Sequence, residues 1–206
     1  MHKVNLLLSK PSIDYNAYCN EVFSLAENHK TSGPEQSHER IEATKLNAQR
    51  IKRIEKHTNL LPEIKTGLSQ IKNQWLWIVI TEAWCGDGAQ NIPIIKKMAD
   101  AMPHVSLQFI FRDENLDVIN EYLTNSSKAI PKLICIDEQA IKEIGVWGPR
   151  PITIQDKVNT LKKEQPEISH DELVKNIHLW YAQDKSEAMQ KELFDLIQQW
   201  SNTATY

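Results

Sequence analysis

Trp75-Leu-Trp-Ile-Val-Ile-Thr81, followed at once by Glu82-Ala-Trp-Cys-Gly-Asp-Gly-Ala-Gln90, is the stretch that decides the fold. The first seven residues are almost continuously apolar and rich in aromatic and β-branched side chains, the composition of a strand buried on both faces. Gly86 and Gly88 mark a turn, after which Ile92, Ile95, Met98 and Ala99 recur at helical spacing up to Met102. Met98 and Met102 fall on the apolar face of that helix and read as core. The segment is therefore strand, turn, helix, with Cys85 at the turn. A cysteine at a helix start meets unpaired backbone N–H groups and the positive end of the helix dipole. Both favour the thiolate, so an exposed Cys85 with a pKa below the free value of about 8.5 is the expectation. Gly86 leaves room beside the sulfur, and Trp84 is expected to shield one side of it.

Working outward, Val105 to Phe111 alternates as a second strand, Leu116 to Leu123 is a short helix, and Lys132 to Ile136 and Ile141 to Trp147 are two more strands around the turn at Asp137-Glu138-Gln139. Two strands joined through a helix should run parallel with a right-handed crossover, whereas the last two form an antiparallel hairpin. A mixed four-stranded α/β sheet with helices on both faces follows. Before it, residues 12–30 read as a helix capped by Ser12 or Asp14, Thr31-Ser-Gly-Pro34 breaks the pattern, and residues 35–57 form a second helix. The positive side of this second helix (Lys45, Arg50, Lys52, Arg53, Lys56) could touch a phosphate, but Glu39, Glu42 and Glu55 are interleaved and make a solvated face the plainer reading. Ser169-His-Asp-Glu172 has capping-box spacing and opens a long or briefly interrupted C-terminal helix. The expected organisation is a helical N-terminal extension over 1–58, an α/β domain over 59–165, and a C-terminal helix over 166–206 packed on that domain.

Composition narrows the function classes. The 206 residues are 25% charged and 41% hydrophobic, enough for one medium domain with extensions. A formal net charge of −3 gives no electrostatic basis for a dedicated nucleic-acid binder. No apolar run reaches the roughly 18 residues that cross a bilayer, and the Val4, Leu6 to Leu8 patch is too short for a secretory core, so a soluble cytoplasmic protein is expected. Three scattered cysteines (Cys19, Cys85, Cys135) do not make a disulfide framework. The seven histidines show no zinc-ligand spacing, and there is no glycine-rich phosphate loop, so neither metal nor cofactor is expected.

Trp84-Cys85-Gly86 after a buried strand resembles the active site of the thioredoxin superfamily. Pro93, eight residues beyond Cys85, stands where that family kinks its active-site helix. Ile130-Pro131 before the third strand is similar to the family's cis-proline, and Gly148 after the fourth strand to the glycine that borders the substrate groove. The resemblance covers roughly residues 60–163. The Trp-Cys-Gly-Asp-x-Ala-Gln wording and Trp147-Gly-Pro-Arg-Pro151 look like a bacterial subgroup with helical extensions. The resemblance implies a thioredoxin-like fold and a site made of Cys85, Trp84, Gly86, Asp87, Gly88, Ile130, Pro131 and Gly148.

The departures redirect the chemistry. Family members use Cys-x-x-Cys, whose second thiol resolves the mixed disulfide of the first; here the fourth position is Gly88. Dithiol exchange at this motif is excluded unless Cys19 or Cys135 participates. Cys135 reads as a buried small hydrophobe in a core strand, and Cys19 lies in the extension. The buried aspartate that the family places six residues before its first cysteine is replaced by Val79. Glu82 and Asp87 are the nearest carboxylates, and Asp87 would raise the cysteine pKa while the helix end lowers it. Arg150 could offset Asp87, although an exposed loop arginine is the simpler reading.

Two functions fit these residues. In the first, Cys85 performs monothiol thiol–disulfide chemistry with protein or low-molecular-weight thiols, and an external thiol resolves the mixed disulfide. In the second, the fold is a non-redox binding or scaffold module whose cis-proline groove holds a peptide or protein partner. A peroxidatic role is weaker, since neither Thr nor Arg adjoins Cys85 in sequence. Neither nucleic acid nor membrane is expected as a partner, and the sequence leaves the oligomeric state open.

Overall fold

The computed structural model describes residues 2–203; Met1 and residues 204–206, the outermost ends of the two extensions, lie outside that range. The chain runs α1 (His2–Leu8), β1 (Ile13–Asp14), α2 (Tyr15–Glu27), α3 (His38–His57), α4 (Pro62–Leu68), β2 (Trp75–Thr81), α5 (Gly86–Asp100), β3 (Val105–Phe111), α6 (Leu116–Asn120), β4 (Lys132–Asp137), β5 (Lys142–Trp147), α7 (Ile152–Glu164), α8 (His170–Asp184) and α9 (Glu187–Thr203). The sheet order is β1-β3-β2-β4-β5. β2 and β3 are parallel, joined through α5, with Trp75 opposite Val105 and Thr81 opposite Phe111. β4 is antiparallel to β2, and β5 antiparallel to β4 with a register shift between Cys135 and Ile136.

The sheet thus has five strands where four were expected. Ile13–Asp14 adds an antiparallel edge to β3, a pairing of two residues that no alternation pattern can reveal. Asp14 then caps α2, its carboxylate accepting from the Ala17 N–H at 2.8 Å, so that helix begins at Tyr15. Ser37 caps α3 in the same way, and the serine half of the Ser169 capping box forms at α8. Lys185 and Ser186 both take positive φ, which divides the C-terminal helical segment into α8 and α9.

Alternate residues of β2 face two different cores. Trp75, Trp77 and Val79 point into the larger one, with Tyr18 and Val22 of α2, Ile92, Ile95 and Met98 of α5, and Leu193, Ile197 and Trp200 of α9. Ile78 and Ile80 point into the smaller, with Val4 and Leu7 of α1, Val118 and Ile119 of α6, Ile130 and Cys85. At about 25 cal/mol per Å² of apolar surface, each fully buried Trp or Ile of this strand contributes on the order of 2 kcal/mol. Both terminal segments are built into this packing: α3 lies along α5, and α9 against α4, α5 and β5. Gly145 makes the last contact possible, since a Cβ there would lie 2.0 Å from Nε1 of Trp200.

Candidate functional site

Cys85 is the N-cap residue of α5, and its Sγ accepts the Gly88 N–H at 3.2 Å. The sulfur also donates to the carbonyl of Ile130 at 3.3 Å. The Ile130–Pro131 and Gly148–Pro149 peptides are both cis. Gly148 has φ +113°, and a Cβ on it would lie 2.3 Å from the Pro131 carbonyl oxygen, so only glycine fits where these two turns meet. Gly88 is held just as tightly. A Cβ at 88 would sit 2.8 Å from Thr81 Oγ1 and 3.5 Å from Cys85 Sγ, so a resolving cysteine there would require Thr81 to shift.

The structure corrects the expectation of an exposed, low-pKa Cys85. The residue is 6% exposed, and burial, reinforced by the charge of Asp87, pushes its thiol up to about 12. The Gly88 N–H and the charges of Arg150 and Arg112 work in the opposite direction and lose. Ionisation would also turn the Ile130 contact from donor against acceptor into two facing negative atoms. The helix end alone misleads because its donors act on a sulfur that the fold has taken out of water.

Arg150 is not a free loop residue. Its Nη2 and Nε reach Asp87 Oδ2 at 2.5 and 3.1 Å, with side chains only 18% and 11% exposed. Tyr181 on α8 donates to Asp87 Oδ1 at 2.9 Å, and Asn91 donates to the Tyr181 hydroxyl at 2.9 Å. Asp87 thus binds the start of α5 to the loop after β5 and to the C-terminal helices. Glu82, expected as an electrostatic partner of the cysteine, is fully buried elsewhere: the Ser32 hydroxyl and the Asp113 N–H both donate to it. Burial raises its pKa. Its function is to hold the 31–33 loop against the end of β2, a contact between segments that local sequence does not reveal.

Trp84 carries two guanidinium groups against its ring, Arg40 at 4.2 Å and Arg112 at 4.8 Å from the centroid. Arg40 pairs with Glu35 and Asp113, and Arg112 with Asp113. Around Trp84 and Cys85 lies a cavity of about 830 Å³. Its floor is Trp84 to Asp87 and Ile130, one wall is α3 (Arg40, Asn47, Arg50), and the other is α7 and α8 (Val158, Ile177, His178). Asn47 fixes the α3 wall to the floor by donating to the Ala83 carbonyl at 2.9 Å. His178 reaches Gly86 closely enough that a Cβ on Gly86 would stand 2.9 Å from its Cε1. Burial and the charges of Arg50, Arg150 and Arg53 depress His178 to about 4, so the ring is neutral near pH 7. Sequence reasoning missed Arg40, Asn47, Arg112, His178 and Tyr181 as site residues. Nothing in their local spacing separates them from ordinary helix and loop residues. Cys19 and Cys135 are buried and free, and neither lines the cavity.

The family model described as Thioredoxin matches residues 33–164, and the chain belongs to that family. Two solved structures share the fold. A protein of unknown function from Pseudomonas aeruginosa superposes with a TM-score of 0.60 at 16% identity, over 91% of this chain and 92% of the other. An HIV epitope-scaffold protein gives a TM-score of 0.58 at 16% identity, over 91% and 93%. A search of the curated proteins finds no match. Among the described residues no helix is long and apolar enough to cross a membrane.

Proposed function

We propose that the protein is a thioredoxin-fold binding module, holding a small molecule or a short extended segment of a partner in the cavity between α3, α8 and the Pro131 turn. The observation that carries this reading is the state of Cys85: a buried sulfur with one backbone donor and one backbone acceptor, and a thiol pushed up to about 12. A nucleophilic thiolate is the opposite of that state. On this reading α3 and α8, which belong to the two extensions, are the walls that convert an open groove into a cavity, and Cys85 is part of its floor. The three free thiols suit a reducing compartment, which makes the cytoplasm the proposed location.

A second reading, monothiol exchange, is favoured by one feature: Cys85 lines the cavity, with the Gly88 N–H aimed at its sulfur. In that chemistry the Cys85 thiolate would attack one sulfur of a bound disulfide, forming a mixed disulfide and releasing the other half as a thiolate. A second, external thiolate would then attack the mixed disulfide, restoring Cys85 as thiolate. The pH dependence of iodoacetamide modification, with Cys85→Ser as control, separates the readings. An apparent pKa at or above that of a free thiol supports the binding module. A value well below it supports exchange and overturns our reading.

A further inference from the structure

The cations that line the cavity are not equally neutralised. Arg40, Arg112 and Arg150 each have a carboxylate within 4 Å. Among the described residues Arg50 has none: its Nη1 donates to Asn47 Oδ1 at 2.9 Å, and it is half-buried. Arg53, three residues on and on the same face of α3, has none either. Of the glutamates that interleave this helix in sequence, Glu42 pairs with Lys45, Glu55 accepts from the Tyr15 hydroxyl, and Glu39, which lines the large cavity eleven residues before Arg50, lies 3.8 Å from His170. Among the described residues Arg50 and Arg53 therefore have no carboxylate within 4 Å.

These two arginines also face space. A smaller hollow of about 300 Å³ is lined by Arg50, Arg53, Gln90 and His178, and it shares Arg50 and His178 with the large cavity. Gln90 Nε2 lies 3.2 Å from His178 Nδ1. An amide N–H donated there leaves the proton of the neutral ring on Nε2, so this edge presents a donor. The Nη1 atom of Arg50 and the His178 ring both sit against Gly86, the neighbour of Cys85, at 3.8 and 2.9 Å from its Cβ position. Donors thus converge from two helices, with no carboxylate among the residues that line this hollow. Burial and Arg53 pull the Arg50 pKa down to about 10, which agrees with a guanidinium short of counter-charge.

We propose that this hollow is an anion subsite, in which the carboxylate or phosphate group of a small ligand is held by Arg50, Arg53 and the Nε2–H of His178 while the remainder lies in the larger cavity toward Cys85 and Pro131. The proposal rests on the cavity being a binding site and names the charge of what it binds. A bidentate guanidinium contact matches the planar oxygens of a carboxylate or the fork of a phosphate, and a half-buried arginine gives it more weight than an exposed one.

The test is a titration of the full-length, histidine-labelled protein with inorganic phosphate and, separately, citrate at pH 7 and low salt, followed by the NMR signals of the imidazole rings. A saturable shift of the His178 signals with half-saturation at or below about 10 mM is expected, and the probe that saturates first distinguishes phosphate from carboxylate ligands. Arg50→Gln should weaken binding about 10-fold or more, and Arg53→Glu, at an exposed position where folding is not at risk, by at least as much. Lys65→Gln, at an exposed position of α4 that lines neither cavity, should bind as the wild type does. A shift without saturation, or equal affinity in folded Arg53→Glu, would overturn the anion subsite. Alkylation of Cys85 is measured independently, so failure here and failure of the binding-module reading give different results.

Discussion

The two ends of the cavity differ in how completely their charges and hydrogen bonds are used. At the Cys85 end the sulfur has a donor and an acceptor, and Asp87 is held by Arg150 and Tyr181. Trp84 lies against two arginines that have their own carboxylates. At the Arg50 end, two guanidiniums and an imidazole face a hollow with no acid among its lining residues. The familiar landmark of the fold is thus the settled part of the site, and the less conspicuous helix face is the part with capacity left over. Reactivity and binding capacity need not coincide, because the first depends on an ionisable atom reaching water and the second on charge left unneutralised.

The largest effect that could break this comparison is the reactivity of Cys85. With its thiol at about 12, the thiolate fraction near pH 7.5 should be on the order of a thousand-fold below that of a free cysteine, and modification should accelerate up to pH values near 12. Rapid alkylation at neutral pH would show that the sulfur is neither sheltered nor protonated.

Asp87→Ala comes next. It leaves Arg150 and Tyr181 without their shared carboxylate, and a loss of about 2–4 kcal/mol in urea-induced unfolding is expected. It also removes the second cause of the high thiol pKa, so Cys85 should titrate at lower pH in this variant.

The Arg50 end makes its own prediction. His178 ionises at about 4 in the folded chain and near 6.5 when unfolded. Because the folded state resists the proton, its contribution to stability is complete above 6.5 and declines as pH falls from 6.5 toward 4. The loss should reach at most about 3 kcal/mol. His178→Gln should flatten the stability profile over that interval, and an unchanged profile would mean that the ring is not held neutral. The smallest expected effect is Arg40→Met, which removes one guanidinium from Trp84 and should lower stability by about 0.5–1 kcal/mol by thermal melting.

The strand–turn–helix and the order of the remaining elements were readable because each rests on a local pattern: unbroken apolar residues for β2, helical spacing for α5, and the glycines between them. Cys85 and Pro131 were readable as neighbours through resemblance to a known family. The burial of Cys85 was not readable, since it depends on α1, about 80 residues before it, and on α6 and Ile130, about 30 to 45 residues after it in the chain. The pairing of Arg150 with Asp87 was readable only as the lesser of two readings for the same reason: the residues lie 63 positions apart. The fifth strand escaped because two residues carry no period.

Sequence alone determined the strands and helices from β2 to β5 and that a single sulfur stands at the start of α5, because hydrophobic periodicity and the absence of a thiol at position 88 are properties of neighbouring residues. Only the tertiary structure decided that this sulfur is dry and protonated and that Arg50 and Arg53 are left without acids. Solvent exposure and charge compensation are sums over everything nearby in space, and for these residues most of what is nearby is distant along the chain.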